Sequence, residues 1–373
     1  LHSRHCARPR ASQQRCKPTD GTTFATSLRT IPFLAQRFGM RQLDLLILGT
    51  GPAATQVALR CAKAGQNVGT VDPRPFGGTC ALRGCNPKKV FVRAAELYDW
   101  IARSRGTGVR TQGAMIDWPE LIAFKRTFTS RVTPWKEDKF RDAGIEQLHG
   151  APRFVSPTRV AVDGDEIECR QVVVATGAVP MKLGVPGEEL LVTSDDFLEL
   201  DQLPRRVLFV GGGYVTFEFA HVAVRAGAEV TIVEMGDRPL MQFDPELVDC
   251  LVDRTRQLGI GLRTSTKVES IERRDGGALA VGLRSENALE SIEVDLVVHG
   301  AGRVPNTRGL DLETGDVRFG HRGIEVNEHL QSVSNPKVYA AGDVAATGAP
   351  PLSPVAIEEG RILAHNLLES EQR

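Results

Sequence analysis

The sequence predicts an α/β protein with two β-α-β units, each the opening of a parallel sheet flanked by helices. Three observations predict it: one internal repeat, the glycine and acid positions inside that repeat, and a composition of ordinary globular type. The 373 residues carry 46 Lys+Arg and 46 Asp+Glu, with 41% hydrophobic and 25% charged residues, which excludes a disordered, collagen-like or coiled-coil chain. The length exceeds one ordinary domain and points to two or three. A net formal charge of zero gives no bulk electrostatic case for nucleic acid or an anionic membrane as partner. Apolar runs such as Leu43 to Leu48, broken by Asp44, are too short for a membrane span.

Residues 1–39 hold seven basic residues (Arg4, Arg8, Arg10, Arg15, Lys17, Arg29, Arg37) and one acid, Asp20, leaving 39 basic against 45 acidic residues in the remainder. An Arg-, Ser- and Thr-rich segment poor in acids has the composition of an organelle transit peptide; sequence lying upstream of the fold, with Met40 just before the first strand, is the competing reading. The segment is excluded from fold reasoning. The expected compartment is the cytoplasm, or an organelle if residues 1–39 act as a transit peptide. Seven cysteines in a long chain form no regular disulfide framework, which favours a reducing compartment.

The repeat follows. Residues 43–73 align with 205–235, pairing Gly49 with Gly211, Gly51 with Gly213, Ala64-Gly65 with Ala226-Gly227, and Asp72 with Glu234. Each copy reads as a buried strand, a glycine turn, a helix, and a second strand that ends in an acid, which is the Rossmann-like dinucleotide fingerprint. Gly49 and Gly211 permit the tight turn. Gly51 and Gly213 let backbone N–H groups approach a pyrophosphate at a helix N-terminus. Small residues stand at the third position, Ala54 in the first copy and Thr216, a looser match, in the second. Asp72 and Glu234 stand near the spacing of about 20 residues expected of a carboxylate that accepts from ribose hydroxyls. Two such sites in one chain imply electron passage between two dinucleotides, a nicotinamide and a flavin.

After Asp72 comes the run Gly77-Gly78-Thr79-Cys80-Ala81-Leu82-Arg83-Gly84-Cys85-Asn86-Pro87-Lys88-Lys89. On a helix starting near Thr79 the five-residue spacing brings the two sulfurs within reach of each other. A helix N-terminus and two lysines favour lowered thiol pKa values. Zinc lacks the third and fourth ligands nearby, so no metal is expected; two buried small residues that happen to be cysteines is the bland alternative.

The run resembles the redox-active disulfide signature G-G-T-C-x-x-x-G-C-x-P of the class I pyridine nucleotide-disulfide oxidoreductases, the flavoenzyme family of glutathione reductase, dihydrolipoamide dehydrogenase and mercuric reductase. The resemblance continues in order through Val172 to Gly177 (its A-T-G turn), Thr193-Ser194-Asp195, Gly211 to Glu218 (G-x-G-Y-I-x-x-E), Gly302 to Thr307 (G-R-x-P-N), Tyr339 to Val344 (Y-A-x-G-D), and Leu352 to Arg361 (the flavin-edge helix). It implies FAD at the first fingerprint, with Gly49, Gly51, Pro52, Ala53, Gly78, Thr79, Thr176, Gly177, Gly302, Arg303 and Gly342 along it, Asp72 on the adenosine ribose and Asp343 on the ribitol. It implies NAD(P)H at Gly211, Gly213, Tyr214, Val215 and Glu234. Cys85 then faces the flavin, Cys80 attacks the substrate, Glu218 pairs with a lysine near the flavin, either Lys88 or Lys89, and Tyr214 is the ring that covers it. A carboxylate at Glu234 favours NADH over NADPH, although Arg238 lies four residues on.

The implied architecture is an FAD domain over 40–178 and 301–373 with an NAD(P) domain over 179–300 inserted, each a sheet with helices on its faces; 99–150, which includes Trp100, Trp118 and Trp135, reads as helices added to the first part. The expected activity is NAD(P)H-driven reduction, through FAD and a Cys80-Cys85 disulfide, of a small-molecule disulfide or similar acceptor. The alternatives are a diaphorase that hands electrons to quinones without using the thiols, and a flavin-binding fragment of low activity. Leu82 stands where the signature usually has Asn. The family's C-terminal interface domain, with its His-Pro acid-base pair and dimer surface, is absent up to Arg373, so the homodimer of full-length members is doubtful for this chain.

Overall fold

The computed structural model describes residues 41–369 other than 111, 112 and 287; the 1–39 segment lies outside the described residues. In chain order the first part is β1 (Arg41–Leu48), α1 (Pro52–Lys63), β2 (Val68–Asp72), α2 (Gly78–Leu82), α3 (Cys85–Arg103), α4 (Trp118–Thr129), α5 (Val132–Asp142), β3 (Glu146–His149), β4 (Pro152–Ser156), β5 (Arg159–Val162), β6 (Asp165–Val174) and β7 (Ala178–Pro180). The middle part is α6 (Ser194–Phe197), β8 (Arg206–Val210), α7 (Tyr214–Arg225), β9 (Glu229–Val233), α8 (Pro245–Gln257), β10 (Gly261–Arg263), β11 (Thr266–Arg273), β12 (Leu279–Ser285), β13 (Leu289–Val294) and β14 (Leu296–His299). It closes with β15 (Arg303–Pro305), β16 (Phe319–Gly320), β17 (Gly323–Ile324), β18 (Val338–Ala340) and α9 (Ser353–Leu368).

The first sheet runs β3-β2-β1-β6-β5-β4, and β18 joins β6 in parallel through Val338↔Val172 to Ala340↔Val174. One sheet is thus assembled from two stretches of chain, with a complete second sheet, β10-β9-β8-β14, lying between them in sequence. All pairs in the second sheet are parallel. Parallel strands are covered on both faces and read as near-continuous apolar runs, which is the character of Leu45 to Leu48 and Val207 to Val210. Their side chains still alternate. Leu45 and Ile47 pack with Val57, Ala58 and Leu363 of α1 and α9, whereas Leu46 and Leu48 pack with Phe154, Val160 and Val338. In β8, Val207 and Phe209 pack with Phe217 and Ala220 of α7, while Leu208 and Val210 face Val268, Val281 and Leu283.

That last packing corrects one expectation. One face of the second sheet is covered by the antiparallel meander β11-β12-β13 rather than by helices. In its middle strand Leu279, Val281 and Leu283 recur at every second position and face the sheet, a bulge between Val268 and Ser270 breaks that period in β11, and Gly276-Gly277 lie between the first two strands.

The two repeat copies fold alike. Each helix is 12 residues long and starts three positions after the first glycine. Gly49 N–H donates to Val71 O at 2.7 Å, and Gly211 N–H donates to Val233 O at 2.8 Å. Thr216, the looser third position, fits because the residue opposite, Gly300, has no side chain for its hydroxyl to strike. Helices α3 and α4 bind the first part to the second: Phe91 and Trp118 pack against Phe197 and Phe219, and the Trp118 indole N–H donates to Leu200 O at 2.8 Å. Trp100 and Trp135 are exposed. No helix among the described residues is long and apolar enough to cross a membrane.

Candidate active site

A cleft of about 630 Å³ opens where the carboxyl ends of β1, β2 and β6 meet α2, α3 and the start of α9. Its volume falls within the range of ligand pockets, and strand carboxyl ends are where open parallel sheets bind ligands. Gly49, Gly51, Pro52, Ala53, Asp72, Gly78, Thr79, Cys80, Cys85, Lys88, Thr176, Gly177, Tyr214, Val215, Arg303, Gly342 and Asp343 all line it. Lys89, Gly211, Gly213, Glu218, Glu234 and Gly302 do not.

At the first glycine loop, α1 begins at Pro52 with Gly51 as N-cap and no side chain capping its first N–H groups, which are open to an anion. A second segment closes over the loop. Gly78 has φ +73°, and a Cβ there would come within 2.5 Å of the Gly51 Cα, so the backbones approach as closely as two glycines allow. The Asp72 carboxylate accepts from Thr50 Oγ1 at 2.7 Å and from Arg74 N–H at 3.0 Å; Thr50 Oγ1 in turn accepts from Gly77 N–H at 3.1 Å. The acid that ends β2 thus ties the glycine loop to the segment that leads into the cysteines.

The two thiols do not share one helix, as the sequence reading expected. The chain breaks at Arg83–Gly84, and Cys85 is the first residue of α3. A side chain at Gly84 would stand 3.0 Å from Thr79 O and 3.3 Å from the Cys80 Cα, so glycine lets the chain fold back on itself and bring Cys85 over Cys80. Both are free cysteines of intermediate exposure, and Cys85 Sγ lies 3.9 Å from Ser353 Oγ at the start of α9. Burial raises the Cys80 thiol pKa; the Ser353 hydroxyl opposes that rise, and the Cys85 thiol adds to it. The expected lowering therefore fails at Cys80, where burial outweighs the groups that favour a thiolate.

Of the two lysines after Cys85, Lys88 is directed at Glu218, with Nζ 2.5 Å from Oε2 and 4.6 Å from the centroid of the Tyr214 ring. Lys89 is exposed. Helical phase separates them: α3 packs its Lys88 face on α7, and Tyr214 and Glu218 sit one turn apart on α7 facing it. Tyr214 is 51% exposed and lines the cleft.

On the opposite wall, burial raises the Asp343 carboxyl pKa, and the Arg303 guanidinium acts against it. Arg303 donates to Ala178 O at 2.5 Å, and Thr176 Oγ1 donates to Asn306 O at 2.7 Å, holding the turn after β6 against β15. The sequence reading missed three residues here. Glu359 is buried on α9 and accepts from Gly342 N–H at 2.6 Å and Thr347 Oγ1 at 2.9 Å. Arg83 lines the cleft with its Nε 3.6 Å from Asp195, which also pairs with Arg74 at 2.7 Å. Ser353 meets the thiols. A buried acid within a helical pattern marks Glu359 as bonded somewhere; no local signal marks the other two.

At the second loop Glu234 accepts from Gly212 N–H at 2.5 Å and Gly236 N–H at 2.7 Å, so its carboxylate is held over the turn. Among the described residues, no group of three or more His, Cys, Asp or Glu is placed to hold a metal ion.

A glycine loop on each of two sheets, the first mixed and the second parallel, with a thiol pair and a lysine-glutamate pair beside the first loop, defines a dinucleotide-dependent oxidoreductase of the α/β class. The chain belongs to the pyridine nucleotide-disulphide oxidoreductase family, whose sequence profile matches residues 43–360. FAD is the cofactor that this membership brings. The chain is 37% identical over 322 residues to a glutathione reductase of Burkholderia cepacia (86% of this chain, 70% of the relative). It is 32% identical over 334 residues to a mercuric reductase of Staphylococcus aureus (88% and 60%), and 33% identical over 331 residues to a dihydrolipoyl dehydrogenase of Thermus scotoductus (88% and 71%). Among solved structures it is similar to the Cu(II) complex of the HOCl-induced flavoprotein disulfide reductase RclA of Escherichia coli, with a TM-score of 0.77 at 25% identity over 89% of this chain and 72% of that one. The chain thus spans 60–71% of the length of these curated relatives.

Proposed function

We propose that the protein reduces a small-molecule disulfide with electrons from NADH, using FAD bound in the cleft and the Cys80–Cys85 pair. One observation carries the reading: the first glycine loop, both thiols and Lys88 line a single cleft, and Lys88 is paired with Glu218 at its edge. The cleft fits FAD by its own chemistry. Uncapped N–H groups at α1 suit a pyrophosphate, the backbone approach of Gly51 and Gly78 leaves room for it, and Asp72 is an acceptor at the end of β2. When bound, FAD supplies a two-electron carrier between nicotinamide and disulfide. On this reading, residues 40–178 and 301–373 form the FAD-binding part, and 179–300 the nicotinamide-binding part.

The protein's own groups then divide the work. Cys80 Sγ attacks the substrate disulfide, forming a Cys80–S bond as one substrate thiolate leaves. Cys85 Sγ attacks Cys80 Sγ, expelling the second thiolate and closing the Cys80–Cys85 disulfide; two electrons from NADH reopen it. Ser353, in contact with the thiols, holds a hydroxyl where a thiol proton is lost or gained. Lys88, fixed by Glu218, presents a positive charge to the cleft, and Tyr214 beside it shields that wall from water until a ligand displaces the ring. The names of the relatives cover a glutathione, a dihydrolipoyl and a mercuric substrate, and a disulfide is the class that the thiol pair supports directly.

Glu234 supports NADH. A carboxylate clamped by two backbone N–H groups accepts from a ribose hydroxyl and repels a 2′-phosphate. The test is steady-state turnover with each nicotinamide and oxidised lipoamide or oxidised glutathione as acceptor. Disulfide-stimulated NADH oxidation is expected, with kcat/KM for NADH about tenfold or more above that for NADPH, and Glu234→Ala is expected to narrow the gap. Stimulation by dyes alone would overturn the thiol reading, and a ratio favouring NADPH would overturn the role of Glu234.

A further inference from the structure

Behind the first glycine loop stands a buried cation with no part in the chemistry above. Lys136 of α5 is 7% exposed, and its ammonium donates to Thr55 Oγ1 at 2.7 Å; Thr55 Oγ1 donates to Gly51 O at 2.8 Å. Neither Lys136 nor Thr55 lines the cleft, so the lysine reaches the loop from its far side. Its other neighbours are the Phe140 and Trp135 rings, 5.6 and 5.5 Å from the ammonium. No carboxylate pairs with it among the described residues, and its charged neighbour is a second cation, Lys139. Burial, with a smaller effect of Lys139, pushes its pKa down to about 8.

A buried ammonium without a counterion is costly, and an apolar side chain would fill this space between two aromatic rings without that cost. Its neighbours point to the missing anion. Thr55 lies in the first turn of α1, and Gly51 is the N-cap of that helix, whose uncapped N–H groups face the cleft.

We propose that Lys136 is a positioning residue for the dinucleotide: it fixes the first turn of α1 through Thr55 and Gly51, and its charge is balanced by the doubly negative pyrophosphate bound on the other side of the loop. The proposal rests on the reading that this loop holds FAD. It predicts that the lysine discriminates between ligands with and without a pyrophosphate, which a purely packing role would not do.

The test is titration of this chain, stripped of flavin, with FAD and with riboflavin, which has no phosphate, at low and high salt. Lys136→Met removes the charge at similar length, and Lys136→Arg keeps it. Lys136→Met is expected to weaken FAD by about tenfold or more and to flatten its salt dependence, with riboflavin binding unchanged and Lys136→Arg close to native. Should Lys136→Met fail to fold, Lys136→Gln keeps a donor to Thr55 without the charge and reads the same quantities. Native-like FAD affinity in the neutral variant, or equal losses for FAD and riboflavin, would overturn the role of Lys136. A native chain that binds no FAD would instead overturn the cofactor reading beneath it.

Discussion

Cys85→Ser is expected to lower kcat/KM for disulfide reduction by about 10³-fold or more while nicotinamide-driven reduction of a dye continues near its native rate. The physical reason is covalent. Once Cys80 has taken a substrate thiol, the resulting mixed disulfide is resolved only by a second sulfur within bonding reach, and a serine hydroxyl at Cys85 forms no S–S bond and ionises far above neutral pH. The fold should be preserved, because Cys85 is the first residue of α3 and its thiol meets the Cys80 thiol and, at 3.9 Å, the Ser353 hydroxyl, both of which a serine hydroxyl of similar size also reaches. Parallel assays with a disulfide and a dye acceptor on native and variant protein check this. Unchanged disulfide reduction in the variant would sink the thiol assignment, and equal loss of both activities would point to a folding defect.

The second large effect is expected at Gly78, where a side chain meets two obstacles at once. Its φ of +73° is costly for any residue with a Cβ, and that Cβ would press on the Gly51 Cα at 2.5 Å. Gly78→Ala should therefore cost about 2–4 kcal/mol, combining backbone strain with a steric shift, and should yield protein without flavin because the segment carrying Cys80 is pushed off the glycine loop. Gly65→Ala is the control: φ there is +88°, yet nothing lies within 4 Å, so about 1 kcal/mol and full retention of FAD are expected. Thermal melts and the flavin absorbance of the purified variants separate the two. A Gly78→Ala protein as yellow and as stable as native would contradict the close approach drawn here.

Much of this site is legible in the sequence because the fingerprint is local. Gly49, Gly51 and Asp72 act within one β-α-β unit, where turn, helix start and acid are all set by neighbouring residues, and the second copy repeats the pattern at Gly211, Gly213 and Glu234. What is not legible is whatever depends on distant packing. The choice of Lys88 over Lys89 is made by the phase of α3 against α7, and Glu218 lies 130 positions away. Ser353 meets Cys85 across 268 residues, and Lys136 meets Thr55 across 81. Cys80 illustrates a different failure. Charge arguments read from neighbouring residues pointed to a lowered thiol pKa, whereas burial, which no local pattern reports, raises it. The meander over the second sheet is only partly legible: Leu279, Val281 and Leu283 alternate in β12, while the bulge between Val268 and Ser270 breaks the strand period in β11.

The most direct test is an anaerobic titration of the purified, flavin-loaded protein with NADH, following electrons taken up per FAD. A flavin coupled to a Cys80–Cys85 disulfide takes up two electron pairs, and Cys85→Ser takes up one. Uptake of a single pair by the native protein, with both thiols already free and unreactive toward added disulfide, would show that electrons never reach the sulfurs and would contradict the account.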